Sequence, residues 1–344
     1  MELPRPRGPV SELLCRWLTS SSLDSAPMQA ALTGALRDCA VVDDDDLQVA
    51  LWVLCELHYQ GFDAVDPAWE WRPETLAVRA RIEEVFECEL RRATHDAVRA
   101  VLSAPGSLAD RLFALVGNAD SAPLARHLQR RGGPDQLCEF LVHRSVYQLK
   151  EADPHTWVIP RLTGRAKVAL AEIQYDEYGS GRATQLHSQL FADTMKVCGL
   201  VADYGAYVDM VPGLTLASSN AMSLFGLHRR LRGAAIGHLA ALEASSSLPN
   251  RRYAAAVRRL GYGEQAARYF DEHVAADAVH EQIAVREVCC VAAAAEPALV
   301  PDIAFGAAAC LHLDAAVAGA LLTAWSEGRS SLLAPARSAS RAGA

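Results

Sequence analysis

The sequence predicts an all-α protein. Alanine and leucine dominate a chain of 344 residues, of which 51% are apolar and only 7% aromatic. Apolar residues recur at helical spacing along most of the chain, and no segment alternates with period two for long enough to form a convincing strand. Glycine and proline are not enriched enough for a disordered or fibrous chain, so we expect a globular helical protein of one large or two ordinary domains.

The N-terminal part begins with ten residues rich in Pro and Arg, which predict a loose start. The four acids from Asp43 to Asp46 precede an apolar run and are interpreted as a helix N-cap rather than a metal site. A loop over residues 62–74 follows. Amphipathic patterns then predict helices over 75–103 and 108–130.

The C-terminal part repeats the helical pattern after a connector that contains Pro154 and Pro160. One helix is predicted over residues 135–150 before this connector, and further helices are predicted after it over 164–200, 214–246, 251–260, 263–288 and 297–326. The most apolar stretch, 303–325, is interrupted by His312 and Asp314, which favours a buried bundle helix over a membrane span. The tail over 329–344 is rich in Ala, Ser and Arg and is predicted to be disordered.

Charge and cysteine usage narrow the functional classes. The formal net charge of −8 argues against a broad nucleic-acid surface. The N-terminus lacks the charged-then-apolar layout of a signal peptide, and the nine cysteines have no repeated spacing. We therefore expect a cytoplasmic protein that binds neither nucleic acid nor membrane.

The sharpest local motif lies within the predicted helix 263–288. His273, Asp277 and His280 are separated by four and three residues, so a helix brings them to one side. Their neighbours are mainly Ala and Val, and burying three polar side chains there is costly unless something satisfies them. A metal ion would satisfy them. The alternative is a helix face whose histidines bond to backbone or water.

A second motif pairs Glu177 with His187, ten residues further along. In one helix this is a little under three turns, so both side chains would lean toward the same interior. Glu172 and Asp176 compete with Glu177 for the ligand role, and spacing alone does not choose between them. Gly179 and Gly181 are unfavourable within a helix and often permit a bend or a close approach.

A third motif is Glu243, which follows a strongly apolar helical run. The nearby His228 and His238 are interpreted as satisfied structural histidines. Oxygen and imidazole donors without cysteine favour iron or manganese over structural zinc, and carboxylates on facing helices commonly bridge two ions. The ferritin-like arrangement is not supported, because none of the candidate glutamates is followed by His at the third position.

At these residues the sequence resembles the haem-oxygenase-like di-iron oxidases and oxygenases. The order Glu177 and His187, then Glu243, then His273-x-x-x-Asp277-x-x-His280 matches the ligand order of that family. The resemblance covers roughly residues 140–325. It implies a haem-oxygenase-like helical bundle over 136–328 and an N-terminal accessory helical region over 1–135 that supports a homodimer.

Within that family the chain is most similar to the N-oxygenating branch, which has an extra carboxylate ligand ahead of the first core helix. Glu151 lies 26 residues before Glu177, where that ligand is expected. The resemblance thus implies seven metal ligands, namely Glu151, Glu177, His187, Glu243, His273, Asp277 and His280.

The activity implied by the resemblance is that of a non-haem di-iron monooxygenase of specialised metabolism. Two iron ions would use O2 and an external electron donor to N-oxygenate a nitrogenous small molecule, an amine or guanidine. The alternative with the same centre is desaturation or oxidative C–C cleavage of an amino or fatty acid. Two further readings are a haem or cofactor-free enzyme and a helical interaction protein with incidental His and Glu.

Overall fold

The computed structural model describes residues 1–20, 24–37, 40–119 and 123–333, apart from the side chains of residues 277 and 278. Within these ranges the chain is mainly helical and contains no strand, which confirms the all-α prediction. The α-helices are α1 (Pro9–Leu18), α2 (Ala26–Ala35), α3 (Asp45–Glu56), α4 (Pro73–Ser103), α5 (Leu108–Asn118), α6 (Pro123–Arg130), α7 (Pro134–Gln148), α8 (Asp153–Thr156), α9 (Gly164–Glu177), α10 (His187–Val197), α11 (Gly213–Leu227), α12 (Arg232–Arg259), α13 (Gly263–Gln282), α14 (Val291–Ala295) and α15 (Val300–Ser326). A π-helix, Ile283–Cys290, joins α13 to α14.

Helix α12 is central to the bundle. It packs along α13 and α15 and also contacts α6, α11 and the π-helix, while α11 packs on α3 and α15 on α4. One large apolar cluster joins α1, α3 and α4 to α11, α12 and α15, and a second joins α6, α7, α10 and α13 to the C-terminal half of α12. The first cluster thus spans both sides of residue 135, and the domain boundary there stays a prediction.

The backbones of α12 and α15 touch at two glycines. A Cβ added to Gly306 would lie 1.8 Å from the carbonyl oxygen of Ala234, and one added to Gly237 would lie 2.0 Å from that of Ile303. No side chain fits at such distances, so the two helices approach as closely as their backbones allow. This contact restricts how α12, the helix that carries Glu243, can be placed against α15.

Residues 164–200 do not form the single helix that the sequence pattern predicts. Helix α9 ends at Glu177 and α10 begins at His187. Between them Gly179, Ser180 and Gly181 have φ values of 72°, 51° and 78°. Three successive residues in the left-handed region cannot continue a right-handed helix, so the chain turns there.

Proline positions also misled the prediction of helix ends. Helix α12 continues through Pro249, although a proline inside a helix typically costs about 3 kcal/mol. Burial of α12 between α13 and α15 compensates for the missing bond. The break falls earlier, at His228, whose backbone is extended (φ −104°, ψ 115°). The predicted helix 108–130 is likewise two helices, α5 and α6.

The N-terminus is not loose as predicted. Its amino group lies 3.1 Å from Asp63 Oδ1, and α1 begins at Pro9. The capping interpretation of the acidic run is confirmed, because Asp44 Oδ1 accepts a hydrogen bond of 2.8 Å from the Leu47 amide.

Helix α15 and the segment after it are attached to the rest of the bundle. Pro297–Ser326 is long and apolar enough to cross a membrane by length and composition. Its most apolar window of 18 residues has a mean hydropathy of 1.7, but half of that window is buried inside the protein. The Ser331 amide then donates to Glu139 (2.8 Å) and the Leu333 amide to the Met210 carbonyl (2.8 Å). The rest of the predicted disordered tail, 334–344, lies outside the described residues.

Candidate metal centre

Six of the seven predicted ligands meet in the interior of the bundle. They form two groups, one of Glu151, Glu177, His187 and His273 and the other of Glu177, Glu243 and His280. Within each group the candidate donor atoms all lie within 4.8 Å of one another. Every member is buried, with side chains from 2% to 8% exposed. Glu177 belongs to both groups and therefore stands between them.

Different helices deliver these side chains. Glu151 follows α7, Glu243 lies within α12, and His273 and His280 lie on α13. Glu177 is the last residue of α9 and His187 the first of α10, so the turn between them folds the two side chains onto each other. A Cβ on Gly179 would lie 2.5 Å from the Leu186 amide nitrogen, which is why this tight turn contains glycine.

Two imidazole nitrogens, one on His187 and one on His280, are close to carboxylates without being hydrogen-bonded to them. His187 Nδ1 lies 2.9 Å from Glu177 Oε2, and His280 Nδ1 lies 3.6 Å from Glu177 Oε1 and 3.7 Å from Glu243 Oε2. Among the side chains that the structure describes, neither nitrogen has a hydrogen-bond partner of acceptable geometry. Buried donor atoms that lie so close together without hydrogen-bonding to one another are suited to holding a metal ion.

Two of the histidines have a hydrogen-bond partner on the ring nitrogen that faces away from the donor cluster. His280 Nε2 lies 3.3 Å from Asp176 Oδ2, so the ring donates there and presents Nδ1 to the carboxylates. His273 Nδ1 donates to the Tyr269 carbonyl at 2.8 Å, which leaves Nε2 facing Glu151 Oε1 at 3.4 Å. Such outer partners fix the tautomer of metal-binding histidines. The sequence pattern placed Asp176 among the possible ligands, and it lies instead behind one.

Glu151 has its own outer partner. The Tyr269 hydroxyl donates to both of its carboxylate oxygens at 3.0 Å. Sequence reasoning missed Tyr269. The available signal was its position four residues before His273, which puts both on one side of α13.

The electrostatics of the cluster reflect close opposite charges. Burial alone would lower the pKa of His280, but the Glu177 and Glu243 carboxylates outweigh it and raise that pKa to about 11. Burial would raise the pKa of Glu177, yet His187 and His280 hold it well below its usual range. Burial raises the pKa of Glu243. Protons and metal ions therefore compete for these imidazoles, since only the neutral ring binds metal.

The donor chemistry fits divalent iron. Three carboxylates and three imidazoles, with no cysteine among them, suit a borderline ion such as Fe(II). A carboxylate shared by two donor groups suits a two-metal site in a helical bundle. The side chain of Asp277, the seventh predicted ligand, lies outside the described residues. Glu172, the other alternative ligand, is exposed and takes no part.

The two interpreted structural histidines behave differently. His228 is satisfied as expected, since its Nε2 lies 2.8 Å from Glu83 Oε2. His238 is buried, and its Nδ1 has no hydrogen-bond partner among the described residues, so its interpretation as a satisfied structural histidine stays a prediction.

A cavity of about 600 Å³ opens beside the metal centre. Glu151, Glu177, Glu243 and His273 line it, together with apolar side chains from both core clusters. A cavity of this size admits a small molecule next to the metal ligands.

An all-helical bundle with a buried carboxylate–imidazole cluster beside a small-molecule cavity suggests a metal-binding protein with a small-molecule ligand. Comparison with family models agrees, because the model described as "Iron-containing redox enzyme" matches residues 138–315, just over half of the chain. The chain belongs to this family of the haem-oxygenase-like superfamily and is an oxidoreductase. No curated protein matches it significantly.

Proposed function

We propose that the protein is a di-iron oxygenase that uses O2 to N-oxygenate an amine or guanidine-type small molecule. The observation that carries the proposal is that Glu177 belongs to two adjacent buried donor groups. One ion would be held by Glu151, Glu177, His187 and His273, and the other by Glu177, Glu243 and His280. Asp277, whose spacing from His280 matches the family motif, is proposed as the remaining ligand of the second ion.

Glu151 favours N-oxygenation over the other reactions of such centres. The resemblance implies that an additional carboxylate ahead of the first core helix distinguishes the N-oxygenating branch. Glu151 lies 3.4 Å from His273 Nε2 and is buried in the first donor group. Its position therefore supports the assignment of the chain to that branch.

When bound, iron supplies the redox chemistry with O2 that no side chain provides. The protein contributes position and exclusion of water. Asp176 holds the His280 ring, and Tyr269 holds the Glu151 carboxylate. Transfer of one oxygen atom to nitrogen leaves the other to become water, so two electrons and two protons must come from an external donor.

Anaerobic titration with Fe(II) tests the metal centre. We expect about two iron ions per chain in the wild type and a loss of both high-affinity sites in Glu177→Ala, because that side chain serves both groups. Glu172→Ala is the matched control, since this exposed residue lies on the same helix. Binding of no iron, or equal binding by the two variants, would refute the centre.

Product analysis with isotopically labelled O2 and candidate nitrogenous compounds tests the reaction. We expect a hydroxylamine or nitro product that carries the label on nitrogen. An alkene, an aldehyde or CO2 as the main product would show desaturation or C–C cleavage at the same centre and would reject N-oxygenation.

A further inference from the structure

Five residues that line the cavity beside the candidate metal centre each have a buried polar atom without a hydrogen-bond partner among the described residues. These atoms are Gln148 Oε1, His155 Nδ1, Gln174 Oε1, Ser219 Oγ and His238 Nδ1. Each belongs to a side chain that lines the cavity, and each residue is 8% exposed or less. Unpartnered buried polar atoms are rare in folded proteins and destabilise them, so five around one cavity require an explanation.

The free atom of Gln174 is an acceptor. Its Nε2 donates to the Ala152 carbonyl at 2.8 Å and to Thr156 Oγ1 at 2.7 Å. A backbone carbonyl only accepts, so the amide is fixed with its nitrogen on Ala152 and its oxygen free. This oxygen can bind only an N–H or O–H group.

The two histidines are neutral hydrogen-bonding groups. Their ring centroids are 5.5 Å apart, and neither Nδ1 has a hydrogen-bond partner. Burial lowers the pKa of His155 to about 4 and the pKa of His238 well below its usual range. Neutral imidazole either donates or accepts at Nδ1, as the Ser219 hydroxyl does, so these groups adapt to a ligand with both kinds of atom.

We propose that His155, Gln174, Ser219 and His238 form a substrate-binding subsite for an uncharged planar group of the carboxamide or amino-heterocycle class. Such a group presents N–H donors beside an acceptor atom, which matches one fixed acceptor and three adaptable groups among the residues that line the cavity. None of the four side chains carries a charge. The inference rests on the proposed function, because it assigns the part of the same cavity that would orient the substrate.

The carboxylates of Glu151, Glu177 and Glu243 also line the cavity, and metal ions bound by the two donor groups would neutralise them. The other charges on the cavity wall do not change this preference. Arg144 Nη2 lies 2.8 Å from Asp314 Oδ1, so this cation and this anion already satisfy each other. The apolar side chains of Met222 and Leu239 also line the cavity and suit a flat ring. The polar wall therefore supplies directional recognition and the apolar wall supplies contact area.

Four aromatic probes of similar size test the subsite by calorimetry on the Fe(II)-loaded protein under argon. Benzamide and aminopyrimidine present uncharged N–H groups, benzylamine is a cation and benzoate is an anion. We expect the two uncharged probes to bind at least about 10-fold more tightly than benzylamine, because a cation gains no opposite partner from these four groups. Benzoate can ligate iron directly and serves as the control for binding at the metal.

Two serines on α11 provide a matched pair of variants. Ser219→Ala removes an unpartnered hydroxyl from the cavity, whereas Ser223→Ala removes a hydroxyl that accepts a 3.2 Å hydrogen bond from Tyr59 away from it. We expect Ser219→Ala to weaken benzamide binding about 5- to 10-fold and to leave thermal stability equal or higher. Ser223→Ala should do the opposite, with unchanged binding and lower stability. His238→Phe keeps the ring volume and should abolish the preference for uncharged probes.

Equal benzamide affinity in the wild type, Ser219→Ala and His238→Phe would overturn the proposal, as would tighter binding of benzylamine. The same titrations on metal-free protein separate the two claims. Absence of iron binding would reject the proposed function, while the probe series would still decide on the subsite. Normal iron binding with insensitive probes would reject the subsite alone.

Discussion

The contact between α12 and α15 predicts a large effect from one methyl group. Gly306 lies where the two backbones touch, and a Cβ there would be 1.8 Å from the Ala234 carbonyl oxygen. An ordinary contact needs 3.4 Å or more, so Gly306→Ala must push the helices apart by roughly 1.5 Å. Gly319 lies on the same helix, and a Cβ there would meet no atom within 4 Å.

The expected change in unfolding free energy depends on which atoms must move to make room for the added methyl group. Overpacking a core typically costs about 1 to 3 kcal/mol, and the upper end applies here because the obstacle is backbone rather than a flexible side chain. Gly319→Ala should instead stabilise the helix by about 0.5 to 1 kcal/mol, since alanine is the better helix former. The two variants should therefore differ in unfolding free energy by about 4 kcal/mol.

Urea denaturation of the metal-free proteins, followed by circular dichroism, measures this difference without a contribution from bound iron. The Gly306→Ala variant should also bind less iron, because α12 carries Glu243. Equal unfolding midpoints for Gly306→Ala and Gly319→Ala would refute the close approach of the two helices.

Three further predictions address polar groups in the interior and beside the candidate metal centre. Lys150 Nζ lies 2.9 Å from Glu56 Oε2, and both side chains are almost fully buried. Glu56→Ala leaves the buried ammonium group unpaired, so it should lower the unfolding free energy by about 3 to 5 kcal/mol in denaturant titrations. Adding Lys150→Met should restore much of that free energy. Burial lowers the pKa of His143 from 6.5 to about 4, so the unfolded chain binds a proton first as pH falls. The stability that this residue contributes above pH 6.5 should be lost by up to about 3 kcal/mol toward pH 4, and His143→Gln should show a shallower pH profile. Asp176→Asn should weaken iron affinity about 10- to 100-fold with unchanged stoichiometry at saturation, and an unaltered titration curve would contradict its role behind His280.

Helical periodicity is a local property, and it predicted most of the helical segments correctly. The predicted helix ends were wrong where long-range packing or backbone conformation determines whether a helix continues. Pro249 suggested a helix end, but the burial of α12 between two neighbours keeps that helix continuous. The reverse occurred after Glu177, where left-handed residues end a helix within a pattern that looked periodic. Neither outcome follows from apolar spacing alone.

The candidate site likewise combines features that local spacing predicts with features that depend on the three-dimensional arrangement. Spacing identified His273 and His280 as one face of a helix, and the structure brings both nitrogens to the carboxylates. The division of the donors into two groups that share Glu177 needed the three-dimensional arrangement. So did the roles of Tyr269 and His238, because their partners, or lack of partners, depend on residues distant in sequence.

The break between α9 and α10 also bears on why the metal centre is there. Glu177 is the last residue of α9, so its carboxylate lies at the negative end of a helix dipole, which is unfavourable by roughly 0.3 to 1 kcal/mol. It is also buried beside the Glu243 carboxylate, which burial and like charge both disfavour. A chain selected only for stability would place neither acid there. Cations held by the two donor groups would offset both costs at once, and the glycine turn that ends α9 allows His187 to join them.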